Sequence, residues 1–156
     1  MKKFNNIKGV FFDLDGTLFD TAPEIIFATN QTLKGLGLTE LDNKIIKGFI
    51  GKGVDNLLKK SLSYSTKKTS DDLFLDAKKL FNKYYTLNAS KSFPYDGAKK
   101  VLKKLKKKKL ALACITNKPE VFTMAILKKS GLISYLDLVV SGDSVSKKKP
   151  DPMPLK

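Results

Sequence analysis

Val10-Phe11-Phe12 is an apolar run that Asp13 stops at once, and Asp13-Leu14-Asp15-Gly16 then places two carboxylates and a glycine where a strand would otherwise continue. Residues 7–12 read as a strand entering a turn. An unbroken apolar run suits a strand covered on both faces, the setting of a parallel sheet. No comparable strand follows until after residue 92. Residues 22–36 instead repeat Ala22, Ile25, Ile26, Thr29, Leu33 and Leu36 at a helical period, with Thr21 as N-cap and Pro23 in the first turn. Residues 40–47 and 54–62 predict two short helices around a loose loop of Gly48, Gly51 and Gly53. A polar connector at 61–70 leads to a longer helix over 71–87, whose apolar face is Leu73, Ala77, Leu80, Phe81 and Tyr84.

The rhythm changes after Phe93-Pro94-Tyr95-Asp96-Gly97. A helix over 98–108 precedes a strand over 110–115, a helix begun by Pro119 and closed near Gly131, and a strand over 137–140. Strand, loop, helix, loop, strand is the signature of a parallel sheet with right-handed crossovers. The expected fold class is therefore α/β. A Rossmann-like parallel sheet core comes from residues 1–18 and 93–156, and residues 19–92 form an inserted all-helical cap.

Composition excludes several chemistries. The 156 residues carry 30 basic side chains, every one a lysine, against 15 acidic ones, for a net charge of +15, with no His and one Cys. Without His there is no Ser-His-Asp or Cys-His catalysis and no His-ligated metal. One Cys forms no internal disulfide, and Cys114 lies within a strand of buried character. The lysine excess invites nucleic acid, but without Arg the bidentate contact to guanine is missing. The lysines are also spread along the chain. The densest run closes the helix whose apolar stripe is Ala98, Val101, Leu102 and Leu105, so it reads as a solvated face. No specific nucleic-acid partner is expected. Lys2 and Lys3 mimic the start of a leader, but Val10 to Phe12 is far too short for a signal core or a membrane span. The expected location is cytoplasmic, with no membrane partner.

Ligands of open α/β sheets bind beyond the carboxyl ends of the strands. There the reading places Asp13 and Asp15, then Thr116 and Asn117, then Ser141 and Asp143, with Lys149 a short loop later. Two carboxylates, a hydroxyl and an ammonium suit phosphoryl transfer. Asp-x-Asp-Gly by itself also suits a turn and loosely mimics a calcium loop. Lys147 and Lys148 stand beside Lys149 as alternative amines should the loop shift.

Val10-Phe11-Phe12-Asp13-Leu14-Asp15-Gly16-Thr17-Leu18 resembles the first motif of the haloacid dehalogenase-like superfamily. Ile115-Thr116-Asn117-Lys118 is similar to its second motif and Lys149-Pro150-Asp151-Pro152 to its third. Asp20-Thr21-Ala22-Pro23, Pro94-Tyr95-Asp96-Gly97 and the helical insert resemble the phosphoglycolate phosphatase-like branch. The resemblance implies that Asp13 is a nucleophile forming an aspartyl-phosphate and Asp15 a general acid and base. It implies Mg²⁺ on the Asp13 carboxylate and the Asp15 carbonyl, and Thr116 and Lys149 on the phosphoryl oxygens. Gly16, Thr17 and Asn117 would add substrate contacts, and Lys52 of the glycine loop could reach a substrate carboxylate. The implied substrate is a small phosphorylated metabolite, 2-phosphoglycolate first and a phosphosugar as the alternative, with the cap closing over the site. Phe19 would be a lid hinge or a packing residue. A fourth, acidic motif is not reached by Lys156. The expectation is therefore impaired metal affinity and turnover, a β1 edge open to oligomerisation, and, as the rival class, a non-catalytic remnant or binding module.

Overall fold

The computed structural model describes residues 6–66, 69–88 and 91–156, so Lys2, Lys3 and the Lys67-Lys68 centre of the polar connector lie outside the described residues. In chain order the elements are β1 (Gly9–Phe12), β2 (Phe19–Asp20), α1 (Ala22–Gly35), α2 (Asn43–Lys47), α3 (Val54–Ser65), α4 (Asp71–Asn88), β3 (Phe93–Pro94), α5 (Ala98–Lys107), β4 (Ala111–Ile115), α6 (Glu120–Ser130) and β5 (Leu138–Val140). Short 3₁₀ turns follow α6 and close the chain. Two compact units result. One runs through Phe19 and resumes at Phe93, and the other is Asp20–Ser92.

The first unit is α/β, as the sequence predicts. Strands β1, β4 and β5 form a parallel sheet in that order. Phe12 stands opposite Cys114, and Cys114 opposite Val139. The three strands therefore end side by side, and the loops after them share one rim. As the middle strand, β4 buries Leu112, Ala113, Cys114 and Ile115. Leu102 of α5, Ile126 and Leu127 of α6, and Leu132 pack with Leu112 and Cys114 in one core cluster. Each fully buried leucine contributes about 1.5–3 kcal/mol.

Three expectations change here. Phe11 is 59% exposed, so the β1 run is not covered on both faces, while its edge, expected to be open, has a neighbour on one side only among the described strands. The α5 stripe is narrower than its spacing suggests, since Leu102 is fully buried while Val101 is 48% exposed. The division between units falls after Phe19, which is fully buried with Leu14 and Leu18 in the sheet's core cluster.

The helical unit is organised around α1, which packs against α2, α3 and α4. Its core comes from Ile25, Ala28 and Leu33 of α1, Leu57, Leu58 and Leu62 of α3, and Ala77, Phe81 and Tyr85 of α4. The Phe81 and Tyr85 rings stack one helical turn apart. The buried hydroxyls of Thr29 and Thr32 donate to the carbonyls four residues back, both at 2.7 Å. Thr21 precedes α1 without a side-chain capping bond; the Asp20 carboxylate accepts from Ala22 N at 3.3 Å instead. Helix α2 starts at Asn43 rather than residue 40 because Asp42 caps it, accepting from Lys44 N at 2.7 Å. Among the described residues no helix is long and apolar enough to cross a membrane.

Candidate active site

Asp13 and Asp15 flank Leu14, which is fully buried. The chain bends at Leu14 just beyond the end of β1, and Leu14 sinks into the core between the two half-buried carboxylates. The chain then reverses. Leu18 N and Phe19 N both donate to Leu14 O at 3.0 Å, and Gly16 N donates to Phe19 O at 2.8 Å. Gly16 sits at φ 78°, which a residue without Cβ adopts at no steric cost. Thr17 is exposed in this turn.

Each carboxylate faces a lysine. The Lys149 ammonium lies 2.8 Å from Asp13 Oδ1 and donates to Ile115 O at 2.7 Å. Asp13 Oδ1 also accepts from Leu14 N at 2.8 Å. The Lys149 ammonium thus makes a hydrogen bond to Ile115 O and an ion pair with Asp13. Lys118 Nζ lies 3.0 Å from Asp15 Oδ1, with only 4% and 13% of the two side chains exposed. Lys118 is the site residue that the sequence reading passed over. One lysine in 30 carries no signal of its own, and only its place directly after the Thr116-Asn117 pair could have singled it out.

Thr116 and Asn117 are buried at the end of β4. Thr116 N donates to Val140 O at 3.0 Å, tying the two strand ends together, and Thr116 Oγ1 accepts from Lys118 N at 3.2 Å. The Asn117 side chain accepts from Lys149 N at 2.9 Å and donates to Lys149 O at 3.0 Å. Gly142 N donates to Lys118 O at 2.8 Å. A Cβ on Gly142 would sit 2.2 Å from Asn117 O, so the loop after β5 lies against the loop after β4 where no side chain fits. Ser141 is buried with no hydrogen-bond partner for its hydroxyl oxygen among the described residues, a state that costs about 1–3 kcal/mol unless something satisfies it. Asp143 caps α6 by accepting from Glu120 N at 2.9 Å. Lys147 pairs with Asp151 at 3.7 Å. The structure therefore joins Asp13, Asp15, Gly16, Thr116, Asn117 and Lys149, while Lys52 is exposed in the separate helical unit.

Burial, reinforced by the Asp13 charge, pushes the Cys114 thiol up to about 12. It is a packing residue beneath the rim rather than a nucleophile. The donor set suits a hard cation. Asp13 keeps a second carboxylate oxygen outside the bonds just described, and Mg²⁺ is held elsewhere by one or two carboxylates plus waters and substrate phosphate. Among the described residues no group of three or more Asp, Glu, His or Cys side chains is assembled to hold a metal. The fit is therefore to a metal shared with a phosphate rather than to an all-protein cage.

Comparison with known proteins agrees with this geometry. Residues 10–156 match the family described as haloacid dehalogenase-like hydrolase. A phosphoglycolate phosphatase of Nitrosospira multiformis is 46% identical over 152 residues, covering 96% of this chain and 66% of that protein. One from Thiobacillus denitrificans is 41% identical with the same coverage. The crystal structure of a predicted phosphoglycolate phosphatase from Haemophilus somnus superposes with a TM-score of 0.91 at 30% identity, over 96% of this chain and 68% of that one. The chain spans just under two thirds of the length of these first two relatives.

Proposed function

The chain belongs to the haloacid dehalogenase-like hydrolase family, and from that premise we propose that its rim performs phosphomonoester hydrolysis on a small phosphorylated acid, 2-phosphoglycolate first. The observation that carries the reading is the paired arrangement at the end of β1. Asp13 and Asp15 share one rim, with a lysine ammonium 2.8 Å from the first and 3.0 Å from the second.

In this reading an Asp13 oxygen attacks phosphorus, and the bond from phosphorus to the ester oxygen breaks. Asp15 hands a proton to the departing alkoxide. Asp15 then takes a proton from water, the water oxygen attacks the aspartyl-phosphate, and phosphate leaves with Asp13 restored. The Lys149 ammonium and the Thr116 hydroxyl supply donors for the phosphoryl oxygens. The Asp13 carboxylate and the Asp15 carbonyl would hold Mg²⁺, which supplies positive charge against the repulsion between carboxylate and phosphate. The proposed location is cytoplasmic and the partner a small metabolite.

The test is release of inorganic phosphate from 2-phosphoglycolate by the purified chain. Release that requires Mg²⁺ and disappears in Asp13→Asn is expected. Equal release by wild type and Asp13→Asn refutes the assignment of the nucleophile.

A further inference from the structure

Three lysines in a row, Lys147-Lys148-Lys149, precede Pro150, and any of them has a stem long enough to present an ammonium to a nearby carboxylate. The structure shows how one is chosen. Lys149 is held at both ends. Its ammonium meets Asp13 Oδ1 and Ile115 O, and its main-chain N–H and C=O are both taken by the Asn117 amide, at 2.9 and 3.0 Å. Asn117 is itself immobilised, with Gly142 against its carbonyl and only 6% of its surface exposed.

We infer that Asn117 is a positioning residue that sets the register of the lysine run and so delivers the Lys149 ammonium, rather than that of Lys148, to Asp13. The inference rests on the phosphoryl-transfer reading above for its consequence in turnover, though not for its geometry. An amide side chain offers one acceptor and one donor group to the main chain of a single residue. Sliding the loop one residue in one direction would bring Pro150 into the clasp, and Pro150 has no N–H to donate. Sliding it the other way would bring in Lys148, moving the origin of the stem by about 3.8 Å and leaving Lys149 directed elsewhere. Lysine stems are flexible and lose considerable rotamer freedom when fixed. A clasp on the main chain removes the coarse part of that freedom before substrate arrives.

The same device is seen among the described residues in the helical unit. Asn30 of α1 accepts from Leu41 N at 2.9 Å and donates to Leu41 O at 3.0 Å. That clasp holds an apolar residue in the helical unit and provides an internal control.

The experiment combines structure and kinetics on the full chain. In a crystal structure of Asn117→Ala, the Lys149 ammonium is expected to have left Asp13, beyond 4 Å. An unchanged Lys149–Asp13 pair overturns the inference, and this arm needs no turnover, so it stands even if wild type releases no phosphate and the functional reading fails. For phosphate release from 2-phosphoglycolate, Asn117→Ala is expected to lower kcat/KM about 100-fold in the wild-type background and less than about 2-fold when Lys149→Ala is already present. Losses that multiply in the double variant overturn a role exerted through Lys149. Asn30→Ala, by contrast, is expected to show losses independent of Lys149→Ala. Should Asn117→Ala fold poorly, Asn117→Asp retains the acceptor for Lys149 N and is expected to fall between wild type and alanine. A loss no smaller than that of Lys149→Ala would refute the clasp.

Discussion

Replacing Gly142 by alanine adds one methyl group at the place where two rim loops touch. The built Cβ lies 2.2 Å from Asn117 O, 2.6 Å from its carbonyl carbon and 3.1 Å from its Cα, all of them main-chain atoms. Non-bonded carbon contacts settle near 3.5–4.0 Å, so the loops must part by about 1 Å or more. A main chain tied by Thr116 N to Val140 O and by Gly142 N to Lys118 O has no rotamer with which to yield. Overpacking of this kind costs about 1–3 kcal/mol, and losing the Gly142 N–H bond adds about 0.5–1.5 kcal/mol, so a total of about 1.5–4.5 kcal/mol is expected. The constraint is one of space. Gly142 is absent from the residues at positive φ, whereas Gly37 has φ 71° and open surroundings. Gly37→Ala is therefore expected to cost about 1 kcal/mol, through backbone conformation alone. Urea unfolding of both variants with a common m-value measures the difference. If Gly142→Ala unfolds within about 0.5 kcal/mol of wild type, a threshold typical of uninvolved surface sites, the loops do not meet as described and the support for Asn117 fails with them.

Other consequences are simpler to measure. Lys118→Met removes the ammonium 3.0 Å from Asp15 Oδ1, a pair with little of either side chain exposed, and denaturation is expected to show a larger loss than for Lys79→Met, whose pair with Asp76 is on the surface and is expected to cost less than about 1 kcal/mol. With its thiol pushed up to about 12, Cys114 is expected to resist a thiol reagent at pH 8 in the folded chain and to react promptly in denaturant. The Asp137 carboxyl is held below the usual carboxylate range by the hydrogen bond from Lys106, then by that from Leu112 N. Its contribution to stability is therefore present in full above the unfolded-state value near 3.9 and fades as pH falls through the lower folded value. The gap in stability between wild type and Asp137→Asn should accordingly be constant from pH 7 to 5 and close below about pH 4; a gap that widens on acidification contradicts the sign.

What the sequence determined by itself is local and periodic. The carboxylates that stop the apolar β1 run, the helical repeats of α1 and α4, and the apolar β4 are consequences of side-chain pattern along a short stretch, which the solvent reads in the same way wherever the stretch sits. The order Asp13, Thr116, Lys149 was legible too, because strands that end together put their following loops on one rim. Tertiary structure alone decided which of several equivalent residues does what. Lys118 is one of 30 lysines, set apart along the chain only by its place after Thr116 and Asn117; its burial against Asp15 gives it a partner. Nothing near Asn117 announces that its amide reaches 32 residues on to Lys149, or that Gly142 is needed for clearance rather than for conformation. Val101 and Leu102 are neighbours of similar hydrophobicity, and only the packing of α5 into the core cluster buries one and leaves the other exposed. Pattern specifies which face turns inward, whereas the partner that each buried polar group finds depends on distances set by the packing of segments far apart in sequence.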